Sequence, residues 1–168
     1  VFADRCRERG INVVDKSLYC EAVASNSFDA VVSVAGVHHE QNQIELLRSW
    51  ARITRPGGVV AMVDVIEGSV QAQFLDGFVG EHNGEGHDGF YLGDDMAAKA
   101  SEAGLTEARI IDGTYHWRAS NLDSLAEFCI ALFRLGGVSN SEVIDAISTG
   151  VGIDYFDDGQ VGMRWSLR

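Results

Sequence analysis

Proline is nearly absent: Pro56 is the only one in 168 residues that hold 19 glycines. Cysteine is scarce as well, three residues scattered at Cys6, Cys20 and Cys129 with no CxxC pair. A set that is odd in number and widely spaced argues against a disulfide framework and against a cysteine-based zinc site, and it fits a reducing, cytoplasmic setting. Positive charge is short too: 13 Lys and Arg against 25 Asp and Glu give a formal net charge of −12. An acidic surface repels nucleic-acid backbones and anionic membranes, so neither is expected as a partner. No apolar run approaches the roughly 18 residues of a membrane span. The opening VFADRCRERG carries no signal-peptide pattern, and because it lacks Met, position 1 need not be the natural start.

What is present reads as an ordinary globular chain, 46% hydrophobic and 23% charged. Its length fits one domain over residues 1–168, with enough chain to bury one core. Residues 2–9 have the character of a helix end, stopped at Gly10, and INVVD that of a short strand. FDAVVSVAGV is almost continuously apolar and valine-rich, the pattern of a strand buried on both faces of a parallel sheet. QIELLRSWARIT follows with Ile44, Leu47, Trp50 and Ile53 on one helical stripe, widened by Leu46 and Ala51. VVAMVDVI is a second apolar strand.

The single proline sits between that helix and that strand, in RPGG. Proline cannot continue a helix, and the glycines after it permit the positive φ angles of a reversal. RPGG therefore predicts a helix stop, and residues 28–66 a right-handed βαβ unit with parallel strands. Downstream, DDMAAKASEAGL predicts a helix ending at Gly104, and TEARIIDGTYHWRA a strand. NLDSLAEFCIALFRLGG predicts a helix capped by Asn121 with Leu122, Leu125, Phe128, Cys129, Leu132 and Phe133 on its apolar face. SNSEVIDAISTGVG predicts another with a serine cap, and DDGQVGMRWSLR a hairpin turn into a last strand.

The central block SFDAVVSVAGVHH…LLRSWARITRPGGVVAMVDV resembles the class I S-adenosylmethionine-dependent methyltransferases acting on small molecules. It carries Ser27-Phe28-Asp29, the pair His38-His39, Arg52, Arg55 and Pro56-Gly57-Gly58 in the family's order. The resemblance implies an α/β three-layer sandwich, a Rossmann-like methyltransferase fold whose mostly parallel sheet ends in an antiparallel C-terminal edge. It also implies S-adenosylmethionine as cofactor and a small-molecule acceptor. Cofactor contacts would come from Ser33, Val34 and Ala35 at the end of FDAVVSV and from Asp15 after INVV, with His38 as catalytic residue toward the substrate. Asp64 resembles the aspartate at the end of the family's fifth strand; otherwise it is a satisfied carboxylate at a strand terminus.

One departure stands against these matches. The family's glycine-rich cofactor loop is missing: Gly10 is the only glycine before residue 28. Either the sequence belongs to a longer protein and lacks the first strands, or the fold has lost its cofactor cradle; tight cofactor binding by these residues alone is not expected. Without a neighbour, FDAVVSVAGV would be a long apolar edge, so a homodimer through it is expected. A nicotinamide-dependent oxidoreductase and a non-enzymatic binding or dimerisation module are the rival classes. His38 and His39 are as readily packing or capping residues. The segment EHNGEGHDG, with His82 and His87, does not match a helical metal-site spacing, so no metal is expected and a solvated substrate lid is the preferred reading. Phe74, Phe78, Phe90 and Tyr91 would line that lid, with Phe90 and Tyr91 equally readable as plain core.

Overall fold

The computed structural model describes residues 2–14 and 17–168. Strand β1 (Phe28–Val34) runs parallel to β2 (Thr54–Val63), and helix α2 (Gln43–Ile53) crosses between them. The expected βαβ unit is therefore formed, in the register Val31 to Val60, Ser33 to Met62 and Val34 to Val63. Side chains alternate across a strand, and here the alternation divides two unlike faces. Val31, Val60 and Met62 pack on Leu46, Leu47 and Trp50 of α2, on Leu92, and on Met96 and Ala103 at the two ends of helix α5 (Met96–Glu102). On the other face, Phe28, Val32, Val34 and Val59 are 46–63% exposed.

A second sheet closes the chain. β3 (Gly113–Ala119), β4 (Ile153–Tyr155) and β5 (Val161–Leu167) are antiparallel in the order β3-β5-β4. Val161, Met163 and Trp165 of β5 point into the main core with Phe74, Leu125, Ala126, Cys129, Val143 and Ile147. The helices that supply that core are α3 (Val70–Phe74), α6 (Leu122–Phe133) and α7 (Asn140–Thr149). Asn121 caps α6 by accepting from the Ser124 N–H at 2.9 Å, and Ser139 and Glu142 form a capping box on α7. The two sheets are stitched where β2 ends. Val65 bridges Leu167, the Asp64 N–H donates to the Arg168 carbonyl at 3.1 Å, and the Arg168 N–H returns to the Asp64 carbonyl at 2.9 Å.

Several expectations need correction. Helix α1 (Phe2–Glu8) and the stop at Gly10 (φ +76°) are found, but residues 11–14 form no strand, and Asp15 and Lys16 lie outside the described residues. RPGG does not itself end α2. The helix stops at Ile53, and residues 55–58 bulge out of the ladder between the Phe28–Thr54 and Ala30–Val59 pairs. Gly57 takes φ +81° there, and a Cβ on Gly58 would lie 2.7 Å from the Asp29 carbonyl oxygen. Arg55 fastens the bulge through Asp29 (2.6 Å) and the Asn26 carbonyl (3.2 Å). The strand expected over TEARIIDGTYHWRA begins only at Gly113. The sheet is less parallel than expected, with one parallel pairing and two antiparallel ones among the described strands. On α6, Phe128 and Leu132 are each 43% exposed, whereas Ala126 is buried in their place. Among the described residues, no helix is long and apolar enough to cross a membrane.

Candidate functional site

The polypeptide turns sharply after β1: Ala35 adopts φ +49°, and its N–H donates to the Val63 carbonyl at 2.8 Å. That turn carries the next residues over the carboxyl end of β2, where Asp64 is completely buried. Asp64 receives the Val37 N–H at 2.9 Å, the His38 N–H at 3.2 Å and the Val65 N–H at 2.8 Å. His38 Nδ1 lies 2.8 Å from Asp64 Oδ1. Burial by itself would raise the Asp64 carboxyl, but the hydrogen bonds from His38 and from the Val37 and Val65 amides outweigh it and hold the group below the ordinary carboxylate range. An ionised carboxylate only accepts, so His38 Nδ1 is the donor of this bond and Nε2 takes no part in it.

A second histidine is held the same way. After α3 the chain widens into a π-turn (Leu75–Val79), a feature frequent at functional sites, and then into α4 (Gly80–His82). The π-turn carries Asp76, whose Oδ1 takes His87 Nδ1 at 2.9 Å, the Gly89 N–H at 3.1 Å and the Tyr91 hydroxyl at 2.6 Å. Burial and the contact with Asp76 push the Tyr91 phenol well above its ordinary value. Gly89 is required for this arrangement, because a Cβ there would stand 2.3 Å from the Tyr91 ring. The Phe90 N–H donates to the His38 carbonyl at 2.6 Å, which brings the second histidine beside the first. Gln43 locks the same segment, its Nε2 donating to the Phe90 carbonyl at 2.8 Å and its Oε1 accepting from Lys99 at 3.0 Å. His38, His39 and His87 thus cluster with ring centroids 4.2–5.4 Å apart. Burial, reinforced by the two neighbouring rings, lowers the His39 pKa.

Of the residues singled out in the sequence, His38 and Asp64 are brought together, and Ser33, Val34 and Ala35 lie just upstream at the end of β1, with Val34 62% exposed. Asp15 lies outside the described residues. His82 leaves the histidine group and packs on Phe78, ring centroids 4.7 Å apart. The sequence offers no signal for Asp76 or Gln43, because their positions are set by the π-turn and by the path of residues 87–91 across α2. An open groove of about 1010 Å³ lies elsewhere. It runs between β2 and residues 104–111, and none of the histidines lines it.

Two parallel strands with a crossover helix, joined to an antiparallel C-terminal unit and carrying polar groups beyond the strands' carboxyl ends, make a Rossmann-like α/β fold. Residues 2–62, less than half of the chain, match the methyltransferase domain family, which supports the resemblance to the class I methyltransferases. Over 64 residues the chain is 39% identical to the mouse tRNA (carboxymethyluridine(34)-5-O)-methyltransferase ALKBH8, a match covering 34% of this chain and 9% of that protein, so only a small part of the relative is represented. Among solved structures, a protein of Bacillus halodurans assigned as a methyltransferase superposes with TM-score 0.62 at 17% identity, covering 95% of this chain and 75% of that one. The YcgJ protein of Bacillus subtilis superposes with TM-score 0.58 at 13% identity, covering 98% of this chain and 73% of that one.

S-adenosylmethionine, the donor that the resemblance implies, would need two walls, and the described residues offer a candidate for one of them. The Ser33–Ala35 turn presents backbone at the carboxyl end of β1, as such a ligand requires. The facing wall, a glycine loop after a strand beside β1, is not formed by the described residues: Gly10 only closes α1, and no strand precedes Phe28. A cradle for that group would therefore be only half supplied by the described residues.

Proposed function

We propose that the protein transfers a methyl group from S-adenosylmethionine to an oxygen, nitrogen or carbon nucleophile on a small molecule, and that the described residues form the acceptor side of the site. One observation carries this reading: the Asp64–His38 pair stands past the carboxyl ends of the parallel strands, with Nδ1 engaged by Asp64 and Nε2 left outside that bond. His38 is the catalytic residue. It takes the acceptor's proton, while Asp64 fixes the ring and steadies the imidazolium that results. Ser33, Val34 and Ala35 face the methionine part of the donor, and Asp15 is assigned to the adenosine end. The segment around Phe90 and Tyr91 covers the acceptor and excludes water. The cytoplasm is the proposed compartment, and a homodimer through the open β1 edge the proposed assembly.

The test is transfer of a labelled methyl group to a panel of small hydroxyl, thiol, amine and activated-carbon acceptors at saturating donor. Label is expected in a small-molecule product, with a loss of about 10²–10⁴-fold in His38→Ala. Labelling of no acceptor by protein shown to hold the donor would overturn the reading. The half-built cradle and the exposed valines of β1 favour a second reading, a non-catalytic dimerisation module. Failure to bind the donor at any concentration, together with a stable dimer, would decide for it.

A further inference from the structure

Three imidazoles meet where the loop after β1 faces the segment after α4. One ring nitrogen from each of His38, His39 and His87 lies within 4.8 Å of the other two. A tetrahedral ion with metal–nitrogen bonds of 2.0–2.1 Å sets its ligand nitrogens about 3.4 Å apart, so side-chain shifts of about an ångström would close the set.

The surroundings of two of these rings favour such an ion. Metal-bound histidines characteristically give their second N–H to a carboxylate, which fixes the tautomer and aims the free nitrogen. His38 does so to Asp64 at 2.8 Å, and His87 to Asp76 at 2.9 Å. Both carboxylates are pinned in turn, Asp64 by three backbone N–H groups and Asp76 by the Gly89 N–H and the Tyr91 hydroxyl. Nε2 of His38 and of His87 are thereby the unshared donors. The two carboxylates come from different elements, the end of β2 and the π-turn. Helical spacing rules applied to the sequence could not detect a pattern built in this way.

We propose that His38, His39 and His87 bind one divalent transition-metal ion of the zinc type, with three imidazole ligands and a fourth position left open. Imidazole donors suit zinc over magnesium or calcium, and three protein ligands with an open fourth position are the arrangement of a catalytic zinc. The ion would tie the lid segment to the end of β1, reinforcing the link from the Phe90 N–H to the His38 carbonyl. Its open position would take an acceptor hydroxyl or thiol and ease loss of that group's proton to solvent water, the task that His38 Nε2 performs when no ion is bound. Binding itself does not rest on the methyl-transfer reading; only this last role does.

Metal content is measured on untagged protein after exposure to zinc and gel filtration, and cobalt(II) is titrated in as the optical probe. We expect about one zinc per chain and the intense visible bands of four-coordinate cobalt. His39→Ala and His87→Ala are expected to abolish both, Asp76→Asn to weaken cobalt binding about 10–100-fold, and His82→Ala to leave it unchanged. Circular dichroism of each metal-free variant separates a lost ligand from a lost fold, and His87→Gln serves if the alanine variant unfolds. No retained zinc, octahedral cobalt spectra, or equal losses in His82→Ala and His87→Ala would overturn the proposal. None of these readouts uses a methyl donor, so they stand whichever way the transfer assay falls.

Discussion

The two sheets are finished to different degrees. β5 has neighbours on both edges, β3 along its length and β4 beside its first residues, and it buries Val161, Met163 and Trp165 under two capped helices. β1 has one neighbour among the described strands, one covered face, and valines at 62–63% exposure on the other. Parallel sheets are normally covered on both faces, so the β1–β2 half is the unusual one. It is also the half that carries His38 and Asp64. Binding segments are drawn from the less stable parts of a fold, and here the asymmetry is built into the strand faces themselves.

The largest contrast is expected between two apolar substitutions. Leu125→Ala, in the closed core, should cost about 3–5 kcal/mol in urea unfolding. Val32→Ser, on the open face, should stay within about 0.5 kcal/mol and improve solubility. Comparable costs at the two positions would break the comparison. Asp64→Ala removes the shared acceptor of three backbone N–H groups. It should cost about 1–3 kcal/mol and free the His38 ring, visible as a changed imidazole signal by NMR. Gly58→Ala sets a Cβ 2.7 Å from the Asp29 carbonyl oxygen and 2.9 Å from that of Arg55. A cost of about 1–3 kcal/mol is expected, with amide shifts confined to residues 26–34 and 53–63 and the C-terminal sheet unmoved.

The smallest effect is electrostatic. Asp154 accepts from Arg164 at 2.8 Å and from His116 at 2.7 Å, and these bonds hold its carboxyl well below the ordinary range. A group whose folded pKa is depressed stabilises the fold above its unfolded value and loses that contribution as pH falls toward the folded one. Melting temperature should therefore drop on acidification below the usual carboxylate range more in the wild type than in Asp154→Asn. Identical acid profiles would remove this pair from the account of the closed half.

Legibility in the sequence followed periodicity and caps. FDAVVSV, QIELLRSWARI and the caps at Asn121 and Ser139 were readable because each pattern is local. INVVD and TEARIID misled because a short apolar run becomes a strand only where a partner edge is within reach. Residues 11–14 have none among the described strands, and Asp112 is instead drawn to Arg168 at 2.8 Å. RPGG was rightly read as a break and wrongly placed, since a bulge and a helix stop use the same residues. Of the site, His38, Ser33–Ala35 and Asp64 stood out through their resemblance to a family. The pairing of His87 with Asp76 and the bond from Gln43 to the Phe90 carbonyl leave no trace in the sequence, because separations of 11 and 47 residues carry no local pattern.

Amide hydrogen exchange, resolved by segment, tests the difference between the halves most directly. Residues 113–119 and 161–167 should exchange only through global unfolding, while 28–34, although hydrogen-bonded to β2, should exchange faster by orders of magnitude. Equal protection in both sheets would contradict the account, because it would mean that the outer face of β1 is covered as fully as the core beneath β5.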